Sequence, residues 1–208
     1  MSRRTIAIAA ALSVLALGSP LITANANPLA RQYFDQAVDK YDAGNYQGAI
    51  ADYTKSLEIN PRNSNSYYNR GLAKYSLEDY QGAIADFTKS LEINPQDANS
   101  YYSRGLAKYD LEDYQGSISD YTKSLRINPQ YVDAYENRAG AKIGLGNPQG
   151  AIVDYTKAIE LDPQSGYAYR NRGVARELVN DLYGACRDWR KAADFGWKEP
   201  AEWVKNQC

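Results

Sequence analysis

The chain has 208 residues, 44% of them hydrophobic, with 24 lysines and arginines against 25 aspartates and glutamates. It can therefore bury an ordinary core, but its net charge of −1 gives no bulk attraction to nucleic acid or to an anionic membrane surface. Histidine is absent, which removes the commonest general base and the commonest metal ligand, so catalytic and metal-centred functions lose their usual residues.

Residues 1–26 read as an export signal. Arg3 and Arg4 form a positive start, Thr5 to Leu17 is apolar, and Ala24-Asn25-Ala26 fits a small-residue cleavage site before Asn27. The apolar run ends at Gly18-Ser19-Pro20, well short of the roughly 20 residues that a membrane-spanning helix needs. No cysteine lies near the cleavage site, so a lipid anchor has no attachment point there. Ser2-Arg3-Arg4-Thr5-Ile6 is also similar to a twin-arginine motif, which leaves the export route open. The expected mature protein is exported, to a bacterial periplasm, to a thylakoid lumen or by secretion. It is mildly acidic, with no stable membrane insertion once the signal is cleaved.

From residue 30 onward the text repeats. Pro61, Pro95, Pro129 and Pro163 fall 34 residues apart, preceded by YTKSLEIN, FTKSLEIN, YTKSLRIN and YTKAIELD. A fixed period of this length signals a stacked array. Each unit holds two helical patterns. In the unit beginning at Ser64, Tyr68, Leu72 and Tyr75 share one stripe, and Tyr80, Ala83, Ile84, Phe87 and Leu91 follow at helical spacing. Asp79 is placed to cap the second helix, Asn94-Pro95 to stop it, and Gly71 to let the two helices approach closely.

These positions resemble the tetratricopeptide repeat family. Its signature aromatic is filled by Tyr33, Tyr67, Tyr101, Tyr135 and Tyr169. Its small residues are Ala37, Gly71, Gly105, Ala139 and Gly173, then Ala49, Ala83, Ser117, Ala151 and Ala185. Its second-helix aromatic is Tyr53, Phe87, Tyr121, Tyr155 or Trp189. The resemblance implies an all-α, right-handed α-solenoid of five helix-turn-helix units, 30–63, 64–97, 98–131, 132–165 and 166–197, with residues 198–208 as a capping helix. The style of NRG and ACRDW is similar to bacterial, and especially cyanobacterial, repeat proteins.

Two features depart from the usual pattern. Arg70 with Lys74, Arg104 with Lys108, Arg138 with Lys142, and Arg172 with Arg176 place cations at half-buried first-helix positions, and Asp52, Asp86, Asp120, Asp154 and Asp188 recur in the second helix. Buried charges need partners, so a ladder of ion pairs within a unit or between neighbours is expected, against the alternative of solvated side chains. The second feature is the 19 tyrosines against 3 phenylalanines. Most occupy signature core positions, but Phe34, Tyr68 and Tyr102 share one further position, and Tyr41, Tyr75 and Tyr109 another.

In the resembled family that face lines a concave groove. Beside it runs a polar row of Asp35, Asn69, Ser103, Asn137 and Asn171, whose asparagine amides could hydrogen-bond the backbone of an extended peptide. Glu136 and Arg170 replace tyrosine in units four and five, so the groove is expected to be aromatic toward its N-terminal half and charged toward its C-terminal half. The cationic clamp for a C-terminal carboxylate is missing, since Asn65, Asn99, Leu72 and Leu106 stand at its positions.

Cys186 and Cys208 have two readings. In an oxidising compartment they would pair and staple the cap, contributing about 3 kcal/mol; a catalytic or metal role lacks both a Cys-x-x-Cys motif and histidine. The expected function is a non-enzymatic scaffold, free of cofactor and metal, that binds a protein or peptide segment in its concave groove, with assembly of an envelope complex as one setting for it. The alternative is a structural spacer that self-associates or is built into a larger complex. No phosphate loop, nucleophile elbow or metal cluster supports an enzyme.

Overall fold

The computed structural model describes residues 27–208; the expected signal segment lies outside them. Eleven helices follow one another: α1 (Pro28–Asp42), α2 (Tyr46–Ile59), α3 (Ser64–Ser76), α4 (Tyr80–Ile93), α5 (Ala98–Asp110), α6 (Tyr114–Ile127), α7 (Val132–Gly144), α8 (Pro148–Leu161), α9 (Gly166–Leu178), α10 (Leu182–Asp194) and α11 (Lys198–Gln207). Consecutive helices pack pairwise, and each pair packs on the next, so the described residues form an α-solenoid with α1, α3, α5, α7 and α9 in one layer and α2, α4, α6, α8 and α10 in the other.

Local chemistry sets the helix ends. Asn45, Asp79, Asp113, Asn147 and Asp181 accept the backbone N–H three residues on, at 2.9 to 3.0 Å, and so cap every second helix. The residue before each of these caps has left-handed backbone: Gly44, Glu78, Glu112, Gly146 and Asn180 have φ of 75°, 61°, 59°, 70° and 62°. Glycine adopts that geometry freely, but a glutamate there stores strain.

The rings of Tyr53, Phe87, Tyr121, Tyr155 and Trp189 fill the space between the two helices of each unit and are essentially buried. Opposite them stand Ala37, Gly71, Gly105, Ala139 and Gly173; a Cβ on Gly105 would lie 2.7 Å from the Tyr121 ring. The hydroxyl of Tyr121 has no hydrogen-bond partner among the described residues, and Phe87 fills the equivalent place in the preceding unit without one.

The charge ladder runs through this interior. Arg70 Nε and Nη2 donate to the two carboxylate oxygens of Asp86 at 2.8 and 2.7 Å, and Lys74 Nζ lies 2.8 Å from the same carboxylate. The remaining guanidinium nitrogen, Nη1, donates across the seam to Thr54 Oγ1 of the preceding unit at 3.0 Å. Thr54 spends its own proton on Ile50 O, which leaves its oxygen free to accept. The same arrangement recurs with Arg104, Asp120 and Thr88, with Arg138, Asp154 and Thr122, and with Arg172, Asp188 and Thr156. Lys108, Lys142 and Arg176 supply the second cation in these units. Each of these arginines also lies over its unit's signature tyrosine, at 5.4 to 5.6 Å from the ring centroid.

The two end units differ. In the first unit, Gln36 stands at the arginine position, and Asp52 is paired by Lys40 and Lys55. The Lys40 hydrogen bond holds the Asp52 carboxyl below the usual carboxylate range despite its burial. In the fifth unit, Arg190 stands at the threonine position. The outer side of that unit is covered by α11, where Trp203 meets Trp189 edge-on at 5.2 Å and Cys208 is joined to Cys186.

These buried charges and strained turns give measurable expectations. Asp120→Asn leaves Arg104 and Lys108 without their carboxylate and should cost about 3 kcal/mol in urea unfolding, whereas Glu92→Gln, which breaks only the exposed pair with Lys89, should cost under about 0.5 kcal/mol. Glu112→Gly, which installs the residue that units one and four carry at that turn, should raise stability by roughly 0.5 to 1 kcal/mol in the same measurement.

Candidate peptide-binding groove

The first helices of the five units present one continuous face. Along it, the aromatic position of one unit meets the polar position of the next. Tyr68 and Ser103 share a hydroxyl contact of 3.4 Å, and Asn137 Nδ2 donates to the Tyr102 hydroxyl at 3.0 Å. Each of these pairs spans a seam between units. At the first seam the aromatic is Phe34, which has no hydroxyl to offer, and the Asn69 side chain has no hydrogen-bond partner among the described residues. Asn69 instead lines a cavity of about 190 Å³ with Val38, Tyr41, Tyr53 and Leu72. A second cavity, about 310 Å³, opens at the other end of the same seam, walled by Phe34, Asp35, Asn63 and Asn65. Asp35 itself is exposed, with Arg31 at 3.7 Å.

The second aromatic row packs differently. Tyr41, Tyr75 and Tyr109 each meet the first ring of their unit's second helix, Tyr46, Tyr80 and Tyr114, edge-on at 5.2 to 5.4 Å. Tyr75 also donates its hydroxyl to Asp110 of the next unit. Burial, reinforced by that carboxylate, pushes the Tyr75 phenol well above its usual range; burial does the same for Tyr102 and also raises Tyr68 and Tyr109. All four therefore remain neutral hydroxyls at physiological pH.

Toward the C-terminal half the same face is filled by its own side chains. Tyr131 stacks on Tyr102 with centroids 4.7 Å apart. It occupies the place where Asn63 and Asp97 cap the preceding units, and α7 starts without a side-chain cap as a result. Asn137 and Asn171 also donate to the carbonyls of Asp133 and Tyr167 in their own helices, and Ser103 is buried. Glu136 accepts a hydrogen bond from Ser165 at 2.6 Å, and its carboxyl is pushed up chiefly by burial. Arg170 donates to Asn171 and lies over both Trp197 and Trp203, 5.8 and 5.2 Å from their centroids. The residues expected to form one groove thus divide: Phe34, Tyr41 and Asn69 border open space, while Tyr102, Glu136, Asn137, Arg170 and Asn171 are engaged with neighbours. Two residues that also line the open cavity carry no groove signal in the sequence: Tyr53 stands at a core signature position, and Val38 at no signature position. Their membership becomes visible once Phe34 is noticed as the one aromatic at its position without a hydroxyl.

One tetratricopeptide repeat profile matches residues 64–97, a second matches 98–131 and 132–165, and a TPR repeat profile matches 37–77. The chain belongs to the tetratricopeptide repeat family. This is a family of protein-interaction scaffolds, and the paired-helix units described above are its repeats. Among solved structures, one of MamA is 26% identical over 76% of this chain and 93% of its own, with a TM-score of 0.74. MamA residues 41-end from Desulfovibrio magneticus RS-1 is 20% identical over 81% of this chain and 96% of its own, with a TM-score of 0.78. YrrB, described as a TPR protein with an unusual peptide-binding site, is 22% identical over 85% of this chain and 92% of its own, with a TM-score of 0.75. No curated protein sequence matches the chain.

Two expectations follow for the groove. Phe34→Tyr supplies the hydroxyl missing at the first seam and should raise stability by about 1 kcal/mol if it reaches Asn69 as Tyr102 reaches Asn137. Glu136 has a folded pKa raised by burial, so its ionisation opposes folding. Glu136→Gln should therefore melt at a higher temperature than the parent at neutral pH, with the difference shrinking as pH falls and the native carboxyl becomes protonated.

Proposed function

We infer that the protein is an exported, non-enzymatic scaffold that holds an extended peptide or protein segment against the N-terminal half of its repeat face, in the assembly of an envelope complex. The observation that carries this reading is the contrast between seams. Where the second and third seams close a tyrosine hydroxyl onto the next unit's polar side chain, Phe34 leaves the Asn69 amide unpaired above an open cavity. An amide both donates and accepts, so it matches a peptide backbone, and the Tyr41, Tyr53 and Val38 walls suit an apolar side chain of the segment. A peptide-binding site in a protein of the same fold, YrrB, is compatible with this use.

Export is read from residues 1–26, and the Cys186–Cys208 bridge suits an oxidising compartment. A non-enzymatic role agrees with the interior chemistry, in which every buried aspartate is committed to an arginine or lysine of its own unit. The ends of the described array do not favour self-association by head-to-tail stacking, which is one form of the alternative of a structural spacer that self-associates or is built into a larger complex. Gln36 and Arg190 cannot form the arginine–threonine link, and α11 covers the fifth unit.

The test uses the protein as affinity bait on the exported proteome beside Asn69→Ala, Phe34→Tyr and Asn137→Ala, each checked for parental helical content. A client retained by the parent and by Asn137→Ala, but reduced roughly tenfold by Asn69→Ala and by Phe34→Tyr, is the expected result, matching the loss of one or two well-placed hydrogen bonds. Equal retention by all four proteins would move the contact off this face.

A further inference from the structure

The outer layer carries a repeat-breaking charge. The second helices of units one, two, four and five each hold, near their C-terminal end, a lysine followed three residues later by an acid. Lys89 and Glu92 are 2.7 Å apart in unit two, and Lys157 and Glu160 are 2.9 Å apart in unit four. Unit three keeps the lysine, Lys123, but places Arg126 where the acid stands. Among the described residues neither Lys123 nor Arg126 has a carboxylate partner, and Lys123 lies over the Tyr101 ring at 5.5 Å instead. The two cations border a cavity of about 230 Å³ between the end of α6 and the loop joining α4 to α5, completed by Pro95, Gln96, Tyr101 and Ile127.

We propose that this cavity is a second protein-contact site, which takes an acidic side chain of a partner lying next to an aliphatic residue. Arg126 and Lys123 offer charge-assisted donors to one carboxylate. The Tyr101 ring, Pro95 and Ile127 give the neighbouring side chain an apolar wall. The flanking units limit the ligand: Glu92 and Glu160 stand at the equivalent positions on either side, so an extended polyanion such as nucleic acid or an anionic bilayer would meet like charge after one contact. The site lies on the outer layer rather than on the face of Phe34 and Asn69, and it stands independently of the groove reading.

The test is an NMR titration of the protein with the blocked tetrapeptide acetyl-Gly-Glu-Leu-Gly-amide, its glutamine counterpart and inorganic phosphate. It is repeated on Arg126→Glu, which writes the sequence of units two and four into unit three and should keep or raise the melting temperature. The glutamate peptide should shift the Tyr101, Lys123 and Arg126 signals saturably, and its affinity should fall at least roughly tenfold in Arg126→Glu, the effect of losing a charge-assisted pair. The glutamine peptide should bind no better to the parent than the glutamate peptide does to Arg126→Glu. Lys123→Gln should weaken the glutamate peptide in the same direction. An affinity unchanged by Arg126→Glu, equal binding of the two peptides, or no saturable shift would overturn the site. Phosphate binding as tightly as the glutamate peptide would overturn its assignment to a protein side chain.

Discussion

The structure depends on what an arginine guanidinium can do that a lysine cannot. Its fork places two donors on one carboxylate and still has a third pointing elsewhere. In units two to five, two donors hold the aspartate of the same unit, and the third crosses the seam to a threonine of the unit before. One side chain therefore fixes both the spacing of two helices and the registration of one unit on the next. The carboxylate it holds is buried and receives a second cation from one helical turn further on, so the charge is compensated before it is desolvated. The signature tyrosine beneath the guanidinium completes the arrangement, which explains why that position is aromatic in units two to five; in unit one Lys55 lies over Tyr33 instead.

With the interior held this way, the exposed face of the first helices is free to vary, and its variations are unequal. A tyrosine there bridges to the next unit, so each hydroxyl used in a seam is withdrawn from any ligand. Phe34 breaks the bridge by losing a single oxygen and so converts a structural polar group into an available one. Tyr131 acts in the opposite sense. It gives up a helix cap to cover Tyr102, closing the face toward its C-terminal half. The asymmetry of the face comes from these two residues more than from the charges of Glu136 and Arg170, both of which are satisfied by neighbours.

Much of the fold was legible in the text because its signals are local. Asp79 lies three residues before the N–H it caps, and Asn94-Pro95 stops α4 where the spacing demands. The aspartate of the ladder could be inferred because a buried cation requires a partner. Thr54 could not, since a mid-helix threonine bonding its own helix carbonyl carries no mark of a second role across a seam. The polar row of the groove looks uniform as letters and is not uniform in space. Asn137 and Asn171 bond carbonyls one turn back, a local competition that the residue type permits but its position does not announce. The cap was readable as a helix, whereas the stacking of Arg170 on Trp197 and Trp203 joins residues about 30 positions apart that share no repeat register.

The arginine–threonine link also bears on how such a chain can change length. A unit carrying arginine on one side and threonine on the other fits between any two of its kind, and residues 64–97 and 98–131 are nearly the same text. The first unit has Gln36 in place of the arginine, and the fifth has Arg190 in place of the threonine, so neither can serve as an interior link without further substitution. Duplication or loss of a middle unit would leave every seam chemically complete, while addition beyond either terminal unit would not. The hydrogen-bond pattern thus makes the array a cassette, whose reach along a partner is adjustable from within while its two terminal surfaces stay constant.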